Sequence, residues 1–374
     1  VSADRRRGWR IVLVALGIAL AAASCTSGSG QAPRSGSFPA AHQISRYLDG
    51  LAARGRLSGT VLVTRGRMSY AAAFGYADRQ ARMPNTMRTD FRLGSVSKQF
   101  TAMGVLMLAA RHQLSVTDPI CRDLPGCPTR WKTITIAELL THTSGIPDYL
   151  NELSARWPPQ PATPAQLIAS FRNAPLHFAP GTRMRYSNSG YVLLGALIEH
   201  LTRQPLAQFL RHSIFGPLGM TRTGTDITAV GPGHARGYYA SGQQPVLYPM
   251  SAFFADGGIY SDAADLRRWD RAIEHSTLIP AALTRQMLSV RVPCPPPGAP
   301  GGCLTSADLG YGYGWFIDHT RYGPLYQHVG RIDGYHSFNG IYLDRDESII
   351  ILANSESTNV LAISNAVAGL TLGG

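Results

Sequence analysis

Lysine is almost missing from this chain: two lysines stand against thirty-three arginines. Lysine is therefore not its general surface cation. Cysteine is scarce too, five in 374 residues, and neither of its close pairs has the ligand spacing of a zinc site, so no metal is expected. The apolar run Ile11 to Ala23 holds thirteen residues, about 20 Å at ~1.5 Å each, well short of a hydrocarbon core of ~30 Å. Length therefore argues against the rival reading of a membrane-spanning anchor there. No dense basic run or RNA-binding motif accompanies the net charge of +12, which gives no ground for a nucleic-acid partner. No G-x-S-x-G occurs, which removes the nucleophile elbow of an α/β-hydrolase.

What the sequence does hold begins with a leader. Arg5, Arg6, Arg7 and Arg10 precede the apolar run, and Ser24 and Cys25 follow it, the layout of a secretory signal peptide over residues 1–24. This leader contributes +3 of the net charge. "AAASC" resembles a bacterial lipobox, which would leave Cys25 to carry a lipid at the new terminus. Residues 25–40 are rich in Gly, Ser and Pro and read as a flexible tether. The other four cysteines fall into two close pairs, Cys121 with Cys127 and Cys294 with Cys303, as expected for local disulfides in an oxidising compartment. Together these features point to the bacterial cell envelope, with membrane attachment through a lipidated Cys25.

Residues 41–374 read as one mixed α/β domain. The apolar spacing of Ile44, Tyr47, Leu48 and Leu51 predicts a helix over 41–55. Strands are predicted at 59–66 and 68–78, forming a hairpin, and a strongly apolar buried helix runs through "QFTAMGVLMLAARHQL". Helical patterns recur at 135–142, 164–173, 189–203, 205–213 and 262–274. A proline-rich loop over 291–303 would be closed by a Cys294–Cys303 bridge. Strands return at 313–318, 334–344 and 348–355 before a last helix at 357–370. This order suggests an antiparallel sheet built from both chain ends (41–95 and 310–374), flanked by helices, with an inserted helical lobe over 96–309.

Three short stretches can carry chemistry. In "FRLGSVSKQF", Ser95 and Lys98 lie three residues apart and share a helix face. A serine hydroxyl needs a neighbouring base, and lysine can be one when burial lowers its pKa, whereas arginine cannot. With so few lysines, an S-x-x-K still arises by chance in roughly 15% of such chains, so spacing alone assigns nothing. In "RYSNSGYVLLG", Tyr186 and Asn188 flank one serine; the tyrosine could relay a proton, and the asparagine could hold a substrate carbonyl or the lysine. Tyr149 and Asn151 form a competing Y-x-N. In "QHVGRIDGYHS", His328, Val329 and Gly330 precede a strand, and Gly330 would let a substrate approach the backbone. His142 reads as a buried packing residue, Asp256 as a turn residue, and His336 has no assigned face.

These three motifs, in this order, resemble those of the serine β-lactamase and DD-peptidase superfamily, in the branch of class C β-lactamases, D-Ala-D-Ala carboxypeptidases and related esterases. Contextual stretches are similar as well, among them "IAELLTHTSGIPDY", "FAPGTRMRYSNSGYVLLGALIE" and "GYGYGWFI". The resemblance implies a β-lactamase/transpeptidase-like fold and no cofactor. It implies Ser95 as acylated nucleophile, Lys98 as its base and Tyr186 as proton shuttle. Substrate would meet Asn188, His328, Val329, Gly330 and Arg331, with the backbone N–H groups of Ser95 and Arg331 forming the oxyanion hole. Two departures bear on the substrate: histidine stands where lysine is usual, and Val329 where threonine offers a hydroxyl to a carboxylate. Arg331 would then supply the charge.

The expectation is an exported serine hydrolase acting on a small molecule or peptide, D-alanyl-D-alanine carboxypeptidase-like in the first place. Carboxylesterase or class C-like β-lactamase action is the alternative. A catalytically weak penicillin-binding receptor would differ in class.

Overall fold

A computed structural model describes residues 38–153, 161–225, 233–246, 248–295 and 309–373. The expected signal peptide, Cys25 and Cys303 lie outside the described residues. Phe38, assigned to the tether from its composition, is instead a core residue at 4% exposure, packed behind the sheet with Ile44 and Leu48.

The helices in chain order are α1 (Ala41–Ala53), α2 (Ser97–Ala110), α3 (Ile136–Leu140), α4 (Pro164–Phe171), α5 (Asn188–Thr202), α6 (Leu206–Leu210), α7 (Phe254–Gly257), α8 (Ala263–Glu274), α9 (Ala281–Met287) and α10 (Val360–Leu372). The main sheet draws on β1 (Gly59–Arg65) and β2 (Met68–Phe74) from one end of the chain. Two small ribbons follow, β3 (Tyr76–Asp78) with β4 (Met83–Pro84) and β5 (Phe91–Arg92) with β6 (Tyr260–Ser261). The rest of the main sheet is β7 (Val292–Pro293), β8 (Leu309–Tyr311), β9 (Phe316–Thr320), β10 (Gly323–Ile332), β11 (Tyr335–Tyr342) and β12 (Glu347–Ala353).

The eight strands run β2-β1-β12-β11-β10-β9-β8-β7, antiparallel throughout. Strands from both chain ends pair as its second and third members, with Gly59 opposite Ala353 and Arg65 opposite Glu347. Both faces are covered, which explains why β12 from Ile349 to Ala353 reads as an unbroken apolar run rather than an alternation. Val61, Ile349 and Ile351 pack against α1 and α10 on one side. Leu62, Ile350 and Leu352 join the larger cluster with α2, α5 and α8 on the other. Alternation along each strand sends neighbours to opposite faces.

Helix α2 is enclosed by this larger cluster, with twelve of its residues buried, from Ser97 to Leu108. An apolar surface all round a helix is the signature of such a position. Cys121 and Cys127 form a disulfide.

Two expectations need correction. The hairpin partner of β1 ends at Phe74, because Gly75 turns the chain at φ 68° with Ser58 Oγ only 2.6 Å from where a Cβ would stand. His328-Val329-Gly330 does not precede a strand; it lies inside β10, paired with Asn339, Phe338 and Ser337 of β11.

Candidate active site

Ser95 lies in a single 3-10 turn, Gly94–Val96, that runs into α2. Gly94 makes the turn possible. Its φ is 52°, and a Cβ there would come within 2.8 Å of the Arg331 carbonyl oxygen and 2.9 Å of the Arg331 nitrogen. Glycine alone tolerates both the left-handed backbone and that approach, so the Ser95 turn rests directly on the backbone of β10. Gly330 serves the same contact. A Cβ at that position would overlap the Leu93 carbonyl oxygen, 1.8 Å away, so the glycine makes room for the turn rather than for a substrate.

Lys98 follows one helical turn later, with no exposed surface. Its ammonium spends three hydrogen bonds, donating to Ser95 Oγ at 3.0 Å, to Asn188 Oδ1 at 2.7 Å and to the Asp256 carbonyl at 2.8 Å. Burial lowers its pKa to about 8, against the opposing pull of Asp256 and Asp148. That value leaves an appreciable fraction of free amine near neutral pH, in contact with the one hydroxyl it could deprotonate.

Ser187 is extended, at φ −144° and ψ 120°, which turns Tyr186 and Asn188 to the same side. Asn188 opens α5. The Lys98 ammonium sits 4.9 Å from the Tyr186 ring centre and 5.5 Å from that of Tyr191. The Tyr186 hydroxyl is buried without a partner at hydrogen-bond geometry, although Ser95 is near enough to oppose the effect of burial, which drives its pKa well above 10. Tyr186 therefore keeps its proton. The competing pair is engaged elsewhere: Tyr149 donates to Ala252 O and Asp256 Oδ1, and Asn151 to Asp148.

His328 faces the same pocket at 1% exposure. Its Nδ1 is 2.6 Å from the Val329 carbonyl and its Nε2 is 3.2 Å from the Tyr311 hydroxyl. Burial, helped by the Lys98 charge, lowers its pKa to about 3, so the ring is neutral. Nδ1 then carries the proton and Nε2 accepts from Tyr311. Val329 turns the other way. It packs with Leu325 and Phe338 in the cluster behind the sheet, which corrects its expected place against a substrate: one step along a strand reverses the face.

Arg331 is exposed. It lines a cleft of about 640 Å³ together with Leu150, Asn151, Tyr248, Phe253 and His336, and His336 is tied there by Nδ1 to the Thr358 carbonyl at 2.8 Å. Cys294 is disulfide-bonded, while its expected partner Cys303 is not among the described residues.

Three supports complete the site: His142 is the buried packing residue the sequence suggests, while the roles of Asp148 and Asp256 were missed. His142, at φ 58°, stacks on Tyr186 with ring centres 4.2 Å apart and accepts the Ser187 N–H at Nδ1. Asp148 takes the Asn188 amide. Asp256 is buried, its pKa raised by burial to about 7, and its backbone carbonyl holds Lys98. The only local signal was their membership in the stretches "HTSGIPDY" and "FFADGGIYS".

A nucleophile-sized hydroxyl on a buried amine, backed by a neutral tyrosine, is the arrangement of a serine acyl-enzyme. The family model described as Beta-lactamase matches residues 44–372. The chain belongs to the β-lactamase family. Among its relatives, penicillin-binding protein 4* of Bacillus subtilis is 30% identical over 334 residues, 84% of this chain and 71% of that protein. The crystal structure of a penicillin-binding protein from Bacillus halodurans superposes with a TM-score of 0.75 at 27% identity, covering 88% of this chain and 98% of the other. A D-stereospecific amidohydrolase from Streptomyces sp. gives 0.73 at 26% identity, covering 90% and 98%. This β-lactamase-family chain is thus a serine hydrolase whose solved neighbours include amidases as well as penicillin-binding proteins.

Proposed function

We propose that this hydrolase cleaves short peptides or amides at a D-residue through an acyl-Ser95 intermediate, with D-alanyl-D-alanine carboxypeptidase-like action as the leading case. The observation that carries the reading is the fully buried Lys98, 3.0 Å from Ser95 Oγ with its pKa lowered to about 8. Lys98 takes the Ser95 proton as Oγ attacks the carbonyl carbon. The backbone N–H groups of Ser95 and Arg331, brought together at Gly94, hold the oxyanion. Tyr186 hands a proton to the leaving amine as the C–N bond breaks and regains one from the protonated Lys98. Water then attacks the ester, Lys98 taking its proton and returning it to Ser95 Oγ as the acyl–oxygen bond breaks.

Arg331 is the cation on the cleft, and a terminal carboxylate would be received there, since His328 is neutral. The same neutrality favours a second reading, a neutral amide or ester substrate, in keeping with the D-stereospecific amidohydrolase among the neighbours. Export and lipidation at Cys25 belong to the first reading, which needs access to the cell wall.

The test offers wild type, Ser95→Ala and Arg331→Ala a D-Ala-D-Ala peptide, a D-amino-acid amide, a nitrophenyl ester and a chromogenic cephalosporin, and follows turnover and protein mass. Peptide cleavage lost in Ser95→Ala and reduced at least tenfold in Arg331→Ala, with the amide and ester spared in the latter, supports the leading case. Turnover of the amide and ester, unchanged in Arg331→Ala, without cleavage of the peptide by wild type points to the second reading. Absence of both turnover and a Ser95 adduct in wild type refutes the hydrolase mechanism.

A further inference from the structure

The loop between α3 and α4 contributes a carboxylate that the mechanism above does not use. Asp148 is buried at 3% exposure. Both its oxygens face the Asn188 side chain, which donates through Nδ2 at 3.2 and 3.0 Å. Leu150 N at 3.0 Å and Asn151 Nδ2 at 2.6 Å fix the carboxylate in turn. A carboxylate accepts and cannot donate, so it selects one orientation of the Asn188 amide: NH2 towards Asp148, carbonyl oxygen towards Lys98.

We propose that Asp148 is the positioning residue of the base: it locks the Asn188 amide so that Oδ1 receives Lys98 Nζ, and so aims the amine at Ser95. The proposal rests on the acyl-Ser95 reading and assigns the part that orients its base. Without this lock the amide could flip and present two donors to an ammonium, leaving Lys98 with one acceptor fewer and free to turn from Ser95. Asp148 also acts through its charge. The other titratable groups around Lys98 are Asp256 on α7, Tyr186 and Tyr191 before and within α5, His142 and Tyr149 of the same loop, and His328 on β10. Of these, Asp256 shares with Asp148 the effect of holding the Lys98 pKa up against burial.

The scarcity of lysine makes this measurable. With two lysines in the chain, [13Cε]-lysine labelling gives two resonances, one from Lys98 and one from the exposed Lys132, an internal control. In wild type the Lys98 signal is expected to titrate near pH 8. Asp148→Asn is expected to lower that midpoint by about one pH unit, the size of one charge acting across an amide in a protein interior. Lys132 stays unmoved. The acid limb of kcat/KM shifts down with the midpoint, and the plateau falls about tenfold as the base weakens and loses its aim. Asp148→Glu, which keeps charge and acceptor, restores the midpoint. Asp148→Ser, uncharged and smaller, gives the same readout if Asp148→Asn does not fold. An acylating wild type with an unmoved Lys98 midpoint in the uncharged variants overturns the role of Asp148 alone. A wild type that never acylates Ser95 overturns the acyl-enzyme reading and this proposal with it.

Discussion

Replacing Lys98 by methionine should separate what the buried amine costs from what it does. Unfolded lysine titrates near ~10.4, so a native value of about 8 means that the charged side chain costs the folded state about 3 kcal/mol at pH 7. Methionine fills a similar volume without that cost, but it leaves Asn188 Oδ1 and the Asp256 carbonyl without their donor, at about 1–3 kcal/mol each. The two effects nearly cancel at neutral pH, and Lys98→Met should be within about 2 kcal/mol of wild type there. The pH dependence is the sharper signal. The native pKa is depressed, so the unfolded chain holds the proton to higher pH, and wild-type stability rises as pH climbs from about 8 towards ~10.4. By pH 10 wild type should regain about 2 kcal/mol relative to Lys98→Met, because methionine has nothing to titrate. Groups away from Lys98 drop out of the difference; Asp256, held down by the Lys98 charge in wild type, is raised further in the variant and adds to the difference in the same sense. Urea unfolding of both at pH 7 and pH 10 measures it. A difference that stays constant across that interval would show that Lys98 titrates in the native state as it does in the unfolded chain, and the buried-base argument would fail. Hydrolysis by Lys98→Met should be abolished at either pH.

Two further substitutions probe the geometry around the nucleophile. Gly94→Ala places a Cβ 2.8 Å from the Arg331 carbonyl oxygen at φ 52°; it should cost about 1–3 kcal/mol in unfolding free energy and lower kcat more than it raises KM, since the turn and β10 must separate. Tyr186→Phe removes a buried hydroxyl that lacks a hydrogen-bond partner. Turnover should fall by about 10²–10⁴ while the thermal midpoint holds or rises, and a midpoint that drops several degrees would mean that the hydroxyl is bonded in the folded protein.

How much of this was legible in the sequence depends on how far apart the interacting groups lie. Ser95 and Lys98 are three residues apart, and helical spacing places them together before any tertiary structure is known. The apolar run Ile349–Ala353 of β12 and the apolar stretch of α2 from Ala102 to Leu108 were readable because burial on every side there leaves no face for polar residues. Val329 was misread for the opposite reason. The polar and apolar residues of "GPLYQHVGRI" alternate under two covered faces, so burial does not say which side carries the chemistry; only the register with β11, His328 opposite Asn339, assigns the histidine to the site and the valine to the back of the sheet. Asp148 and Asp256 left no periodic trace at all, because their partners stand 40 residues away at Asn188 and 107 away at Tyr149. That division follows from what a buried base requires. A reactive pair can be written locally, but an ammonium taken out of water needs acceptors from several directions, and a helix can supply only its own face. The remaining acceptors must come from elsewhere in the chain, so the residues that make Lys98 tolerable in the core are the ones its own neighbourhood in the sequence does not name.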